Sequence, residues 1–153
     1  MSKIPDAIAR FLEEQGFLIV STIDAQGRPH SACKDIIKIN RNGTVYLLDL
    51  YLRDTFRNLQ RNPKISLTAV DGHKFKGYCL KGKDKLFAKK GLGPGVKKAW
   101  EARINSRLTQ RILKNLHGEK GHLRHPELLL PRPEYMIVVE VEEVVDLTPQ
   151  QLK

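Results

Sequence analysis

Three of the five histidines lie close together in the sequence, with a spacing that could bind a metal ion or a haem iron. They are His117, His122 and His125, and imidazole nitrogens are common ligands for both. No cysteine or carboxylate set completes a metal site around them. We therefore predict no metal site and interpret the histidines as part of a solvated loop, with haem ligation kept as an alternative.

Other residues that could do chemistry lack the usual surroundings. Cys33 could act as a nucleophile, but no base or orienting residue stands near it, so we expect a packing role. Cys33 and Cys79 are too far apart for a CxxC motif and are expected to be reduced, half-buried thiols. The glycine-rich residues 91–95 lack the Lys-Ser/Thr pair of a phosphate-binding loop and are interpreted as a linker. The sequence contains no GxSxG or HExxH motif and no GxGxxG between a strand and a helix.

The positive charge of the chain is concentrated in one segment. The 153 residues contain 27 Lys+Arg and 17 Asp+Glu, which gives a formal charge of +10. Residues 81–125 hold 13 basic and 3 acidic residues, and the rest of the chain holds 14 of each, so this segment carries the whole excess. Such a segment is typical of a surface that attracts anions, although a solvated surface that keeps the protein in solution would explain the charge equally well.

The same segment contains the clearest helix pattern of the chain. Apolar residues recur every four positions from Trp100 to Leu116, and Arg103, Arg107 and Arg111 repeat with the same spacing, one residue earlier than the apolar residues. The pattern predicts a helix in which a basic ridge runs beside an apolar stripe.

The rest of the chain consists of short apolar and β-branched runs that end at turn residues, as β-strands do. Gly77 and Gly82 interrupt one run and indicate bulges that let a strand bend, as a small closed barrel requires. We predict a mainly β fold in one domain, residues 1–153, with 91–133 as a helix and loop inserted before the last strand. The predicted strands are 17–23, 30–39, 44–50, 65–70, 75–87 and 135–145, and the predicted helices are 2–15, 53–63 and 96–116.

Three motifs follow one another in an order that is more informative than any of them alone. They are Val20-Ser21-Thr22-Ile23-Asp24-x-x-Gly27-Arg28-Pro29-His30, Arg53-x-Thr55-x-x-Asn58-Leu59-x-x-Asn62-Pro63-x-Ile65-Ser66-Leu67, and Phe75-x-Gly77-Tyr78-x-x-x-Gly82. Together they resemble the pyridoxamine 5′-phosphate oxidase-like FMN-binding split-barrel family, over roughly residues 10–90 and the final strand. The resemblance implies a six-stranded antiparallel split barrel, here with an added basic helix, and a homodimer with FMN at its interface.

The resemblance places the FMN phosphate at the turn after the third strand. Thr55 matches the threonine that the family uses near the phosphate, and Arg57 and Asn58 match its basic-Asn pair. Asp54 stands where the family commonly has a lysine. Either Arg53 supplies the missing positive charge while Asp54 caps the helix, or the affinity for FMN is reduced. Hydroxyl and cationic groups at a helix start suit a phosphate dianion.

The flavin ring and ribityl chain are placed by the resemblance against the second strand. The residues implied there are Ser31, Ala32, Cys33, Lys34 and Asp35. Lys34 is expected to contact the phosphate or a ring oxygen. Leu50 and Tyr51 are expected to cover the cofactor from the end of the third strand, although Tyr51 could equally be a core aromatic residue.

The activity implied is that of an FMN-dependent oxidoreductase, which transfers a hydride between FMN and an unidentified small molecule or nicotinamide cofactor. We assign no catalytic residue, because the cofactor supplies the reactive atom. Arg103, Arg107 and Arg111 form the candidate docking surface for a small anionic substrate or a nicotinamide dinucleotide.

Two alternatives remain open. The same barrel could hold a deazaflavin or a haem, or the chain could be a non-enzymatic module that binds nucleic acid through the basic helix 97–116. With an aromatic content of 7%, the sequence offers few side chains for stacking on bases, so nucleic acid is not the expected partner. A secretory signal and an apolar run of about 18 residues are both absent, so we expect a cytoplasmic protein without a membrane partner.

Overall fold

The computed structural model describes residues 2–15, 17–49, 53–85, 94–118 and 135–153. In these residues the helices are α1 (Asp6–Glu14), α2 (Asp54–Arg61) and α3 (Pro94–Leu116). The strands are β1 (Leu18–Ile23), β2 (Pro29–Asn40), β3 (Thr44–Asp49), β4 (Lys64–Asp71), β5 (Lys76–Asp84) and β6 (Tyr135–Asp146), and a short 3-10 helix spans Gln150–Leu152. None of the helices in the described ranges is both long and apolar enough to cross a membrane.

The six strands form a closed antiparallel barrel in the order β1-β2-β3-β6-β5-β4. The first three strands form a meander, and β1 also pairs with β4. The last strand, β6, lies between β3 and β5 and thereby closes the barrel. The predicted mainly β fold with six antiparallel strands is therefore confirmed.

The core lies inside this barrel, because the strands alternate inward apolar and outward polar residues. Val20, Leu47 and Leu80 are fully buried members of three different strands. Helix α1 adds Leu12 and Phe11 to the same cluster, and the ring of Phe11 meets that of Tyr78 edge-on at a centroid distance of 5.1 Å. Helix α1 thus packs its apolar face on the barrel, as its sequence pattern predicts.

A bulge lies beside one of the two predicted positions, Gly82, but it belongs to the partner strand β6, where Glu142 is the extra residue between the partners of Lys81 and Gly82. The register between β5 and β6 shifts between Lys81 and Gly82, whereas no shift accompanies Gly77. A Cβ at position 82 would lie 2.1 Å from the backbone oxygen of Glu140. Glycine is therefore required at Gly82 because the neighbouring strand passes too close for any side chain.

The apolar stripe of α3 is only partly covered in a single copy of the chain. Trp100, Ile104 and Leu108 are half-buried, but Ile112 is 42% exposed and Leu116 76% exposed. The spacing predicts the helix correctly. The spacing does not predict how much of α3 packs on the barrel. In the described residues, the barrel covers only the first half of the apolar stripe.

Candidate functional site

Helix α2 is joined to the barrel by a buried asparagine. Asn58 is 2% exposed, and its Nδ2 donates a hydrogen bond of 3.1 Å to Oγ1 of Thr22 on β1. Arg61 Nη2 donates to Asn58 Oδ1 at 2.8 Å. Asn58, predicted as a cofactor residue, thus uses its amide within the protein. The bond to Thr22 ties the helix to β1, and the bond from Arg61, within α2, holds the amide of Asn58 in place.

The N-terminal turn of α2 gathers the other residues predicted for the phosphate. Thr55 is 3% exposed, while Arg53 and Arg57 lie on the surface. The first hydrogen bond of the helix runs from the N–H of Arg57 to the carbonyl of Arg53, so the N–H groups just before Arg57 form the positive end of the helix dipole.

The unusual acidic residue of this turn faces a positive charge. Oδ1 of Asp54 lies 3.5 Å from Nη1 of Arg57, and both side chains are largely exposed. The carboxylate makes no side-chain cap hydrogen bond at the helix start. The expected capping role of Asp54 is therefore wrong. The negative charge of Asp54 is offset instead by Arg57, one turn further along the helix.

The five residues predicted on β2 do not share one face of the strand. Ala32 and Lys34 lie opposite the buried Val20 and Leu18 of β1 and point into the barrel. Ser31, Cys33 and Asp35 alternate with them and point outward. Cys33 is exposed, which corrects the expectation of a half-buried, packed thiol. Cys79 is partly buried, as expected.

Lys34 is held inside the barrel by a carboxylate of the neighbouring strand. Its Nζ lies 3.1 Å from Oδ1 of Asp49, the last residue of β3. The side chain of Lys34 is 10% exposed and that of Asp49 is 1% exposed. Water therefore screens this ion pair little, and Lys34 would have to leave Asp49 in order to contact a phosphate.

Asp35 brings two of the predicted docking arginines onto β2. Arg103 donates from Nη2 to Oδ1 of Asp35 at 2.7 Å and from Nε to Oδ2 at 3.2 Å. Nη2 of Arg107 lies 3.1 Å from the same Oδ1. The side chains of Arg103 and Arg107 are 28% and 20% exposed. Arg103 and Arg107, the first two residues of the basic ridge, therefore face the barrel. The sequence pattern indicates only that the ridge runs beside the apolar stripe.

Arg111 lies one turn further along α3 and is half-buried. Of the three histidines, His117 is exposed at the end of α3. The predictions for Leu50, Tyr51, His122 and His125 fall on residues outside the described ranges. No group of three His, Cys, Asp or Glu side chains that could hold a metal ion occurs within those ranges.

A second buried polar group was not predicted from the sequence. The hydroxyl of Tyr135 donates to Oδ2 of Asp84 at 3.3 Å, and the N–H of Val138 donates to Oδ1 at 3.3 Å. Burial raises the pKa of Tyr135 well above its usual value, and the negative charges of Asp84 and Asp49 raise it further. The one feature of the sequence that could have indicated this buried group is an aspartate at the end of each of two strands. These residues are Asp49 at the end of β3 and Asp84 at the end of β5.

The outer face of β1, β2 and β4 carries small uncharged side chains. Ser21 lies opposite Ser31 on one side and Ser66 on the other, and the hydroxyl oxygens of Ser21 and Ser31 are 3.1 Å apart. The next row contains Ile19, which is 45% exposed, beside Cys33 and Thr68. These two rows offer a sheet surface without charged groups, which is the kind of surface that a protein partner can cover.

The comparisons with known proteins agree with the barrel. Among the solved structures with a similar fold is HupZ from Group A Streptococcus, with 19% identity, a TM-score of 0.60 and 95% of each chain covered. An FMN-binding protein from Syntrophomonas wolfei has 12% identity and a TM-score of 0.59, with 92% of this chain and 89% of that chain covered. An F420 reductase has 16% identity and a TM-score of 0.58, with 93% of this chain and 98% of that chain covered. No protein of curated function matches the sequence. The family model described as pyridoxamine 5′-phosphate oxidase matches residues 4–120, and the chain therefore belongs to the pyridoxamine 5′-phosphate oxidase family.

Proposed function

We propose that the chain binds FMN, with the phosphate at the N-terminal turn of α2, and that it acts as an oxidoreductase on a small molecule. The observation that carries this proposal is the composition of that turn, in which the buried Thr55 lies between the exposed Arg53 and Arg57. A phosphate dianion takes hydrogen bonds from hydroxyl groups, guanidinium groups and the N–H groups of a helix start, and the turn offers all three. One relative of the same fold is an FMN-binding protein.

The acidic residue in the turn does not prevent this role. Asp54 and Arg57 form an exposed pair at 3.5 Å, so the two charges largely cancel. Arg53 adds a second guanidinium group beside the helix start. Arg57 can also turn toward a bound phosphate, because an exposed ion pair of this length is weak.

The second strand would contribute through its outer residues. Ser31 and Cys33 are exposed and follow one another along the outward face of β2, where a flat ring can lie against the strand. Lys34 points inward and is neutralised by Asp49, so we assign it to the stability of the barrel and not to the cofactor. Leu50 and Tyr51 remain proposed covering residues.

A homodimer is part of the same proposal. The uncharged rows of Ser21, Ser31, Ser66, Ile19 and Thr68 give a second copy a surface that it can cover without burying a charge. A cofactor beside Ser31 and Cys33 would then lie at the edge of the shared interface.

The chemistry that FMN supplies when bound is hydride transfer at its ring system. The residues of this chain bind the phosphate, support the ring and leave room for a small anionic substrate or a nicotinamide dinucleotide. Arg103, Arg107 and Arg111 remain the ridge residues that we propose for contact with the larger dinucleotide. We propose a cytoplasmic location for this reaction.

A deazaflavin is the second candidate cofactor, since an F420 reductase has the same fold over 93% of this chain. The α2 turn would hold the phosphate of either molecule. A haem bound through a histidine and a nucleic acid bound by the basic helix are weaker candidates. The described chain offers a single exposed histidine beside α3, and Asp35 cancels part of the positive charge of the ridge.

The experiment is a titration of the flavin-free protein, followed by absorbance and by quenching of flavin fluorescence. We expect FMN to bind with micromolar or better affinity, and the double variant Arg53→Ala/Thr55→Ala to bind at least about tenfold more weakly, because charge-assisted hydrogen bonds to the phosphate contribute ~1.5–3 kcal/mol each. Lys74→Ala, in the remote turn between β4 and β5, is the control and should bind as the wild type does. A wild type that binds neither FMN nor F420 would refute the proposal, and binding of F420 alone would support the deazaflavin alternative.

A further inference from the structure

A pocket of about 410 Å³ lies between α1 and α3, away from the α2 turn. Its volume falls within the range of small-molecule sites, which is ~300–1,000 Å³. The described residues that line it are all polar or charged: Arg10, Glu13, Glu14, Gln15, Arg103, Ser106, Arg107 and Gln110. Because each of these side chains carries a polar or charged group, the pocket suits a hydrophilic ligand better than a hydrophobic one.

Two of the lining arginines are held in place before any ligand arrives. Arg103 is fixed by its two hydrogen bonds to Asp35. Arg107 lies between Asp35 and the ring of Phe17, with its guanidinium carbon 4.2 Å from the ring centroid. Such fixed guanidinium groups lose little conformational freedom when they bind a carboxylate or a phosphate.

The positive charge of these two arginines is only half compensated. Asp35 is a single carboxylate shared by two guanidinium groups. Nη2 of Arg107 is buried and, despite its ion-pair distance to Asp35, has no hydrogen-bond acceptor of suitable geometry among the described residues. One positive charge thus remains on the α3 side of the pocket, in a position that an oxyanion can use.

The α1 side of the pocket carries the opposite charge. Glu13 pairs with Arg41 at 3.4 Å. Glu14 makes no ion pair within the described part of the chain. Glu14 therefore offers a carboxylate that can accept hydrogen bonds from an ammonium group.

We propose that this pocket binds a small zwitterion, with its phosphate or carboxylate on Arg103 and Arg107 and its ammonium group on Glu14. Arg10, on α1, adds a further cation to the lining, and Ser106, Gln15 and Gln110 supply neutral hydrogen-bonding groups. With Asp35 included, the positive and negative charges around the pocket are equal, so it favours a ligand without net charge over a polyanion. The site does not depend on a bound flavin.

The test is isothermal titration of the full chain at low ionic strength with two zwitterions, phosphoethanolamine and γ-aminobutyrate, which distinguish a phosphate from a carboxylate. Ethyl phosphate and butyrate, which lack the ammonium group, are the comparison ligands. We expect at least one zwitterion to bind about fivefold or more tightly than its comparison ligand, the effect of one exposed ion pair.

Variants of exposed residues locate the site without disturbing the core. Arg10→Gln should weaken binding of that zwitterion about fivefold, and Glu14→Gln should weaken the zwitterion but not its comparison ligand. Lys114→Gln removes the same charge from α3 outside the pocket and should bind as the wild type does. The proposal is overturned if neither zwitterion binds to the wild type, or if Lys114→Gln loses as much affinity as Arg10→Gln.

Discussion

Arg103 and Asp35 form a two-point ion pair, at 2.7 and 3.2 Å, between residues 68 positions apart in the sequence. Planar guanidinium and carboxylate groups match each other in this geometry, which makes the contact more specific than a single-point pair. The pair ties α3 to the outer face of β2, the strand on which the proposed cofactor residues Ser31 and Cys33 lie. One carboxylate of the barrel thus fixes α3, together with the contacts of its half-buried apolar residues.

Replacing Asp35 by the neutral asparagine of the same shape should destabilise the packing of α3 more than it destabilises the barrel. In Asp35→Asn we expect the amides of α3 to exchange with solvent about tenfold faster, because Arg103 and Arg107 lose their common partner. Global stability should fall by less than about 1 kcal/mol, since the pair is partly exposed. Hydrogen exchange followed by mass spectrometry measures both effects. Asp24→Asn, which breaks an exposed pair with Arg28 in the β1–β2 turn, is the control, and unchanged α3 exchange in Asp35→Asn would contradict the prediction.

The inward pair of Lys34 and Asp49 should be important for stability. Lys34→Met leaves a buried carboxylate without its cation, and loss of one partner of a buried ion pair costs ~3–5 kcal/mol. We expect a loss of unfolding free energy at the lower end of this range, about 3 kcal/mol, in urea titrations.

The matching double variant separates the ion pair from other effects of the substitution. Lys34→Met combined with Asp49→Leu should be less destabilised than the sum of the two single variants, by about 1 kcal/mol or more. Additive losses would show that the two side chains, although 3.1 Å apart, are not coupled.

Gly82→Ala should destabilise the barrel through a backbone collision. The added Cβ would lie 2.1 Å from the carbonyl oxygen of Glu140, so β5 and β6 would have to move apart. We expect a loss of ~1–3 kcal/mol, as for other overpacked positions. Gly72→Ala is the control, because nothing lies within 4 Å of a Cβ there. Equal thermal unfolding temperatures for the two variants would argue against the close approach of the strands.

Stability at alkaline pH should report on Tyr135. Burial, together with Asp84 and Asp49, raises its pKa in the folded state, so folding favours the neutral phenol. This contribution is complete below the usual tyrosine pKa of about 10, and it is lost as the pH rises toward the raised value. Above about pH 10, we therefore expect the free energy of unfolding of the wild type to fall. The ionisation of Tyr135 should contribute up to ~1.4 kcal/mol per pH unit to this loss.

The substitution Tyr135→Phe should remove that part of the alkaline loss, which urea titrations at pH 9, 10 and 11 can measure. Tyr46→Phe, on β3, is the control for loss of a phenol and should retain the slope of the wild type. A slope that is the same in Tyr135→Phe and in the wild type would refute the assignment.

The local pattern of the sequence predicts the elements well. The strand predicted at 30–39 is Pro29–Asn40, and the helix predicted at 96–116 is Pro94–Leu116. Helix α3 begins two residues earlier than predicted because proline is accepted in the first turn of a helix. The strand predicted at 75–87 ends at Asp84, whose carboxylate turns inward to Tyr135 and Val138.

The contacts of the site were less predictable, because they depend on the strand register and on partners distant in the sequence. Alternation along β2 indicates that Lys34 and Asp35 point to opposite faces, but it does not say which residue meets each of them. Lys34 meets Asp49 because of the pairing of β2 with β3, and Asp35 meets Arg103 because α3 returns to the barrel after β5. Neither relationship follows from spacing.

The place of β6 in the barrel also affects how the chain can fold. Until Tyr135–Asp146 has been synthesised, β3 and β5 are both unpaired sheet edges, separated by the gap that the last strand fills. Exposed edges of this kind pair readily with other chains. The nascent chain therefore carries its greatest risk of aggregation before β6 emerges from the ribosome, and barrel closure depends on contacts distant in sequence.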